Sequence, residues 1–246
     1  MRRFKADLHV HTCLSPCSCL DMSPREVVSA ALQNGMDLIG VCDHNSAENV
    51  LAVKKAGSRN GLIVLGGMEV TSSEEAHLLV FFDDDDDLLE FQKFIYQHLA
   101  GKNDGHSFGL QVIADDEDGV SGFCDRLLIG ATSLPAEAIV AQARAAKGAS
   151  LVVAAHVDRE AFSIIGQLGF IPESLVLDAL EISANTDVAD AKKRFPDCAN
   201  YPVLTGSDAH TPGDIGRRYT CFTLEDGTVA EIKKALTGRD GRKAEC

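Results

Sequence analysis

The chain has 246 residues, 45% of them hydrophobic, and a formal net charge of −14. That length and composition suit a large α/β domain with a sizeable buried core. The charge argues against stable nucleic-acid binding or an anionic membrane as the main partner, and an acidic protein with an anionic substrate needs local positive charge.

No run reaches the ~18 apolar residues of a membrane span, and Phe4-Lys5-Ala6-Asp7 breaks any signal-peptide core. The expectation is a cytoplasmic protein whose eight cysteines are reduced thiols. The first strand carries Asp7-Leu8-His9-Val10-His11-Thr12. Alternation puts Asp7, His9 and His11 on one side and Leu8 and Val10 on the other, so two imidazoles can close on one ion at about 2 Å. Cys13, Cys17 and Cys19 follow in a loop, and their spacing does not match a paired C-x2-C zinc site.

Ser23-Pro24-Arg25-Glu26 starts a helix, with Ser as cap, Pro in the first turn and Gly35 as the stop. A short apolar strand, Leu38 to Cys42, ends in Asp43-His44-Asn45, and a second helix covers about Ala47 to Asn60. Strand Leu62 to Leu65 leads into Gly67-Met68-Glu69, and His77 to Phe82 is a fourth strand. The acids Asp83 to Asp87 suit the start of a helix that reaches about Leu99. Between Gly101 and Gly130 the composition turns to glycine and acids, and two short β-like runs flank Asp116-Glu117-Asp118-Gly119. This reads as an inserted hairpin in one domain over 1–246, either a lid or a tolerated loop. His98 is expected on or near the surface, and His106, in the insert's flexible lead-in, is not expected to be a ligand.

A helix from Pro135 to Lys147 and a strand from Leu151 to Ala155 follow, the strand ending in His156-Val157-Asp158-Arg159. Strand Ala179 to Ile182 precedes Asn185 and a helix to about Phe195. Strand Tyr201 to Leu204 runs into Gly206-Ser207-Asp208-Ala209-His210, and a last helix spans about Thr228 to Leu236. The β-then-α order with short buried strands predicts a parallel sheet or barrel, whose functional groups gather at the strands' carboxyl ends. His9, His11, Asp43, His44, Glu69, His156, Asp208 and His210 all fall there. His77, at the start of its strand, is the exception. Convergence of so many ligand-type residues at one rim predicts a metal centre.

Taken in order, these motifs resemble the PHP (polymerase and histidinol phosphatase) domain, a metal-dependent phosphoesterase family with a distorted (β/α)7 TIM-like barrel. The resemblance covers most of the chain and implies two or three divalent transition metal ions, zinc, manganese or iron. It implies that His9, His11, Glu69 and Asp208 hold the first. Glu69 bridges to a second with His77 and His156, and His44 and His210 hold a third. For the remaining loop ligand, Asp21 is the first candidate and Cys17 the second. Asp43 is assigned to orienting an imidazole through its other nitrogen.

A carboxylate between two cations would hold a water acidic enough to give hydroxide near neutral pH, and the cations would neutralise phosphoryl oxygens. Glu69, Asp208 and His210 are the catalytic candidates, and Arg159 and Arg217 the candidates for gripping phosphate. Glu181 and Asn185 are minor rim candidates. The expected activity is hydrolysis of a small phosphorylated substrate, a nucleotide, histidinol phosphate or similar phosphomonoester. The alternatives are a non-catalytic module stabilised by metal and a C–N hydrolase using the same centre.

Overall fold

The computed structural model describes residues 1–246. In chain order the elements are β1 (Arg2–Val10), α1 (Pro24–Gln33), β2 (Leu38–Val41), α2 (Val50–Asn60), β3 (Ile63–Thr71) and β4 (His77–Phe82). Next come α3 (Asp85–His98), β5 (Val112–Ala114), β6 (Val120–Phe123), α4 (Ala136–Arg144), β7 (Ser150–Ala154) and α5 (Ile164–Leu168). The chain ends with β8 (Ala179–Ile182), α6 (Val188–Arg194), β9 (Val203–Thr205), β10 (Thr220–Leu224), α7 (Val229–Leu236) and β11 (Lys243–Glu245).

Nine strands form one sheet in the order β11-β10-β1-β2-β3-β4-β7-β8-β9. The loop after β9 then returns to β1. His11 N–H donates to the Ala209 carbonyl at 3.1 Å and Ala209 N–H to the His9 carbonyl at 3.0 Å. This contact nearly closes β1, β2, β3, β4, β7, β8 and β9 into a barrel, and leaves β10 and β11 as an antiparallel tail on β1. The distorted barrel expected from the sequence is therefore present.

One strand runs backwards. β4 is antiparallel to both β3 and β7, with Thr71 opposite His77. Its beginning therefore lies at the rim where β3 ends, which explains how a histidine at a strand start joins residues at strand ends.

Two buried clusters mark the layers. Phe4, Ala6, Leu8, Leu79, Phe81, Leu151, Val153 and Leu204 belong to an inner cluster of 18 residues, to which α7 adds Val229 and Ile232. A larger cluster of 41 residues joins the outer faces of the strands to the helices. Packing inside is tight: a Cβ on Gly40 would meet Phe81 and the Leu8 backbone at 2.7–3.0 Å. The acidic run Asp83 to Asp87 finds partners at helix ends. Asp84 caps α3, and Asp83 accepts from the Val229 and Ala230 amides at the start of α7. Ser23 sits at the N-cap of α1, as the sequence suggests, but its hydroxyl makes no capping bond.

The expected insert forms a two-stranded hairpin, β5 with β6. It is fastened at the rim: Asn49 accepts from Ala114 N–H at 2.9 Å, and the Asn45 amide donates to the Leu128 and Gly130 carbonyls at 2.8 Å each. His106 is exposed and His98 half-buried. No helix is long and apolar enough to cross a membrane, and all eight cysteines are free thiols.

Candidate metal centre

Period-two alternation carries most of the site. In β2 the inward positions Leu38 and Cys42 continue to His44, and in β3 Leu65 continues to Glu69. β4 begins inward with His77 before Leu79 and Phe81. β8 adds Glu181 after Ala179, and β9 continues from Leu204 to Asp208. The layer that fills the barrel with apolar side chains thus changes, at the mouth, into one of imidazoles and carboxylates.

Glu69 is the hub. Its Oε1 lies 2.8 Å from His77 Nδ1, 3.2 Å from His156 Nε2 and 3.4 Å from His9 Nε2. Its Oε2 lies 3.1 Å from His44 Nδ1 and 3.3 Å from His11 Nε2. Asp208 Oδ1 is 3.2 Å from both His9 Nε2 and His11 Nε2. The two oxygens of one carboxylate thus face different sets of imidazoles.

β1 and β7 reach the rim differently. Pairing of β1 with β2 shifts register between Asp7 and Val10, so simple alternation does not hold there. Leu8 packs in the inner cluster and Val10 in the outer one. Asp7 turns to the Ser207 hydroxyl and the Ser207 and Gly216 amides, and burial pushes its carboxyl up to about 6. His156 follows inward-facing Ala155 with φ +30°, and Asp208 has φ +53°. Such backbone is uncommon for residues other than glycine and gathers at functional sites.

The groups behind the imidazoles are specific. His9 Nδ1 lies 2.8 Å from the Glu181 carboxylate, which also accepts from the His156 amide at 3.1 Å. Sequence reasoning left Glu181 as a minor rim residue; its inward position beside Ala179 is the signal that could have found it. Asp43 accepts from Thr12 and from the Ser15 hydroxyl at 2.7 Å, and that hydroxyl sits 2.9 Å from His11 Nδ1. Asp43 therefore orients His11 through Ser15, not directly.

Three expectations change at the periphery. Asp21 is exposed and does not join the gathered groups. Cys17 touches one member of them: its Sγ lies 3.1 Å from His210 Nε2, while His11, His44 and His210 form their own compact group. Arg217 is exposed, bonds Asn185 at 3.4 Å and borders a separate depression with Arg3 and Arg218. Arg159, three residues past His156, reaches Asp208 Oδ2 at 2.7 Å. A cavity of about 200 Å³ opens over the cluster, lined by Cys17, His44, Glu69, Ile129, Arg159 and Phe162 among others.

Residues 7–124 match the PHP domain family and residues 192–240 its PHP-associated segment. The chain is a PHP-domain protein. It is 24% identical to YqxK, an uncharacterised Bacillus subtilis protein, over 99% of this chain and 64% of that one. Its fold is similar to the lesion-specific endonuclease Q of Pyrococcus furiosus, with a TM-score of 0.74 at 22% identity over 99% of this chain and 58% of that one. It is also similar to a candidate metal-dependent phosphoesterase of Bifidobacterium adolescentis, with a TM-score of 0.57 at 20% identity over 85% of this chain and 88% of that one. The chain thus spans less than two-thirds of YqxK and of the endonuclease.

The donor set of this PHP domain fits divalent cations. Buried side-chain atoms without a hydrogen bond include His9 Nε2, His44 Nδ1, Glu69 Oε2 and His156 Nδ1. The first three face neighbours at 3.1–3.4 Å without the alignment of a bond. Unpaired buried polar atoms are costly, and a cation among them would satisfy several at once. Mixed imidazole and carboxylate donors suit zinc, manganese or iron.

The electrostatics agree. Burial alone would lower His11, yet the Asp208 and Glu69 carboxylates raise it to about 9, and Glu181, Asp208 and Glu69 likewise hold His9 well above its usual value. Burial opposes ionisation of Glu69 and Asp208 too, but the surrounding imidazoles hold both below the usual carboxylate range. Burial and the neighbouring His11 push His210 down to about 4. The mouth of the barrel is a place for positive charge inside an acidic protein.

Proposed function

We propose that this PHP domain is a metal-dependent phosphoesterase acting on a small phosphorylated substrate. The observation that carries the reading is the Glu69 carboxylate, buried, with each oxygen turned to a different group of imidazoles. In this reading His9, His11, Glu69 and Asp208 hold one cation, and Glu69, His77 and His156 a second. His44 and His210 serve a third with Cys17 in place of Asp21. When bound, the cations activate water at neutral pH and neutralise charge on the phosphoryl oxygens.

The chain's own residues do the rest. Glu181 and the Asp43–Ser15 pair hold His9 and His11 in the ring orientation that turns Nε2 to the centre. Arg159 stands at the cavity with a fork of donors suited to phosphate. Confinement in the cavity limits the orientations open to a bound phosphoryl group.

The endonuclease of similar fold motivates a second substrate reading, a phosphodiester in nucleic acid. The test is metal counting by mass spectrometry, with phosphate release and strand cleavage assayed over phosphomonoesters, phosphodiesters, amides and oligonucleotides. Glu69→Gln is expected to lose ~10²-fold or more in rate. Turnover unchanged in that variant would overturn the reading, and metal bound without turnover of any ester would leave a structural module.

A further inference from the structure

Phe162 is anomalous in three ways. It is a large aromatic residue with 47% of its surface exposed, although the barrel has apolar layers to receive it. Its φ is +61°, a conformation that is a genuine outlier for a bulky side chain. Its ring lies nearly parallel to that of His77, with centroids 4.9 Å apart and planes at 22°. The position is imposed on it: the His77 amide donates to the Phe162 carbonyl at 2.9 Å, which ties the loop after β7 to the start of β4. Backbone strain that leaves an aromatic ring at the edge of a cavity floored by imidazoles and carboxylates points to a ligand.

A second apolar residue meets it there. Ile129, 38% exposed, lines the same cavity and comes from the insert. The Asn45 bonds to Leu128 and Gly130 fix its two neighbours. The cavity has a floor of metal-ligand chemistry and an apolar border, and its volume of about 200 Å³ sets what it can enclose. Pockets that engulf a small molecule run to ~300–1,000 Å³. A phosphoryl group fits inside; whatever it is attached to must lie across the border. Arg159 and Phe162 are three positions apart on one loop, so a guanidinium for the phosphate and a flat apolar ring for its neighbour arrive together.

We propose that Phe162, backed by His77 and flanked by Ile129, is the stacking surface for a nucleobase, so that the substrate is a phosphoester carrying a base. This rests on the phosphoesterase reading and narrows its substrate class. Aromatic stacking tolerates any base and contributes about tenfold or more to affinity.

The experiment compares binding of adenosine 5′-monophosphate and ribose 5-phosphate to the metal-loaded protein by calorimetry. The expected result is about tenfold tighter binding of the nucleotide. Phe162→Leu is expected to abolish that preference while metal content and ribose 5-phosphate affinity stay unchanged, and Phe162→Trp to keep it. Ile129→Ala, on a different element, is expected to weaken it partly and guards against misfolding of the first variant. Equal affinity for the two phosphates, or a preference that survives Phe162→Leu, would overturn the stacking surface alone. Failure of both phosphates to bind would overturn the phosphoesterase reading and the stacking surface together.

Discussion

His9 Nδ1 and the Glu181 carboxylate lie 2.8 Å apart with both residues buried, which commits the other ring nitrogen of His9 to the Glu69 and Asp208 side of the barrel. The same carboxylate holds the His156 amide, so one side chain sets two of the gathered histidines. Groups placed in this way behind a metal-binding imidazole typically matter 10–100-fold in affinity. Glu181→Gln, which keeps shape and loses charge, is therefore expected to weaken metal binding by about tenfold or more, read by competition with a chelating dye. Unchanged affinity would show that the pair only fills space.

Cys17 offers a test that needs no turnover. A thiolate bound to Co2+ gives an intense near-ultraviolet charge-transfer band that imidazole and carboxylate ligands lack. The cobalt-loaded protein is expected to show that band, and Cys17→Ser to lose it along with about one equivalent of metal, the ion proposed for His44 and His210. Asp21→Ala is expected to change neither. A band that persists without Cys17 would assign it to another thiol.

Arg159 pairs with Asp208 Oδ2 at 2.7 Å, and its side chain remains 37% exposed, so the pair itself adds little to stability. Its value lies in the free part of the guanidinium. Arg159→Ala is expected to raise KM for a phosphoester about tenfold or more and to leave kcat unchanged, the signature of a contact equal in ground and transition states. Arg159→Lys should recover only part of this, because an ammonium replaces a planar fork by a point charge. Steady-state kinetics on the two variants decide it.

The strand-end residues were readable because each lies at or within four residues past a short apolar run: His44 after Leu38 to Cys42, His156 after Leu151 to Ala155, Asp208 after Tyr201 to Leu204. The reversed direction of β4 was also within reach. Only Ser72 to Ala76 separate it from β3, too few for the dozen or more residues of a parallel crossover. Thr220–Leu224 was passed over although threonine and phenylalanine favour strands; its pairing with β1 is set by tertiary contact that no local pattern encodes. Cys17 and Asp21 could not be ranked from spacing, since an irregular loop decides which side chain turns inward. Arg217 was misassigned for the same reason: proximity in sequence to His210 says nothing about the side of the rim it faces.

Far from the mouth, Glu231 locks the end of the chain. Its carboxylate accepts from Arg242 Nε at 2.9 Å, from Lys234 Nζ at 2.8 Å and from the Glu225 amide at 2.9 Å, joining α7 to the segments on either side. The hydrogen bond from Arg242, with those from Lys234 and Glu225, lowers its pKa from 4.5 to about 2. A carboxyl group more acidic in the folded state binds fewer protons there than in the unfolded chain. Its stabilisation is therefore complete above the unfolded value near 4.5 and is lost as pH falls through about 2. Glu231→Gln is expected to lower the melting temperature by roughly 2–4 °C near neutral pH, and the gap from the parent protein should close as the pH is taken down through that window. Melting curves recorded on both proteins between about pH 7 and pH 2 test it; a gap independent of pH would mean that shape, not charge, holds the chain end.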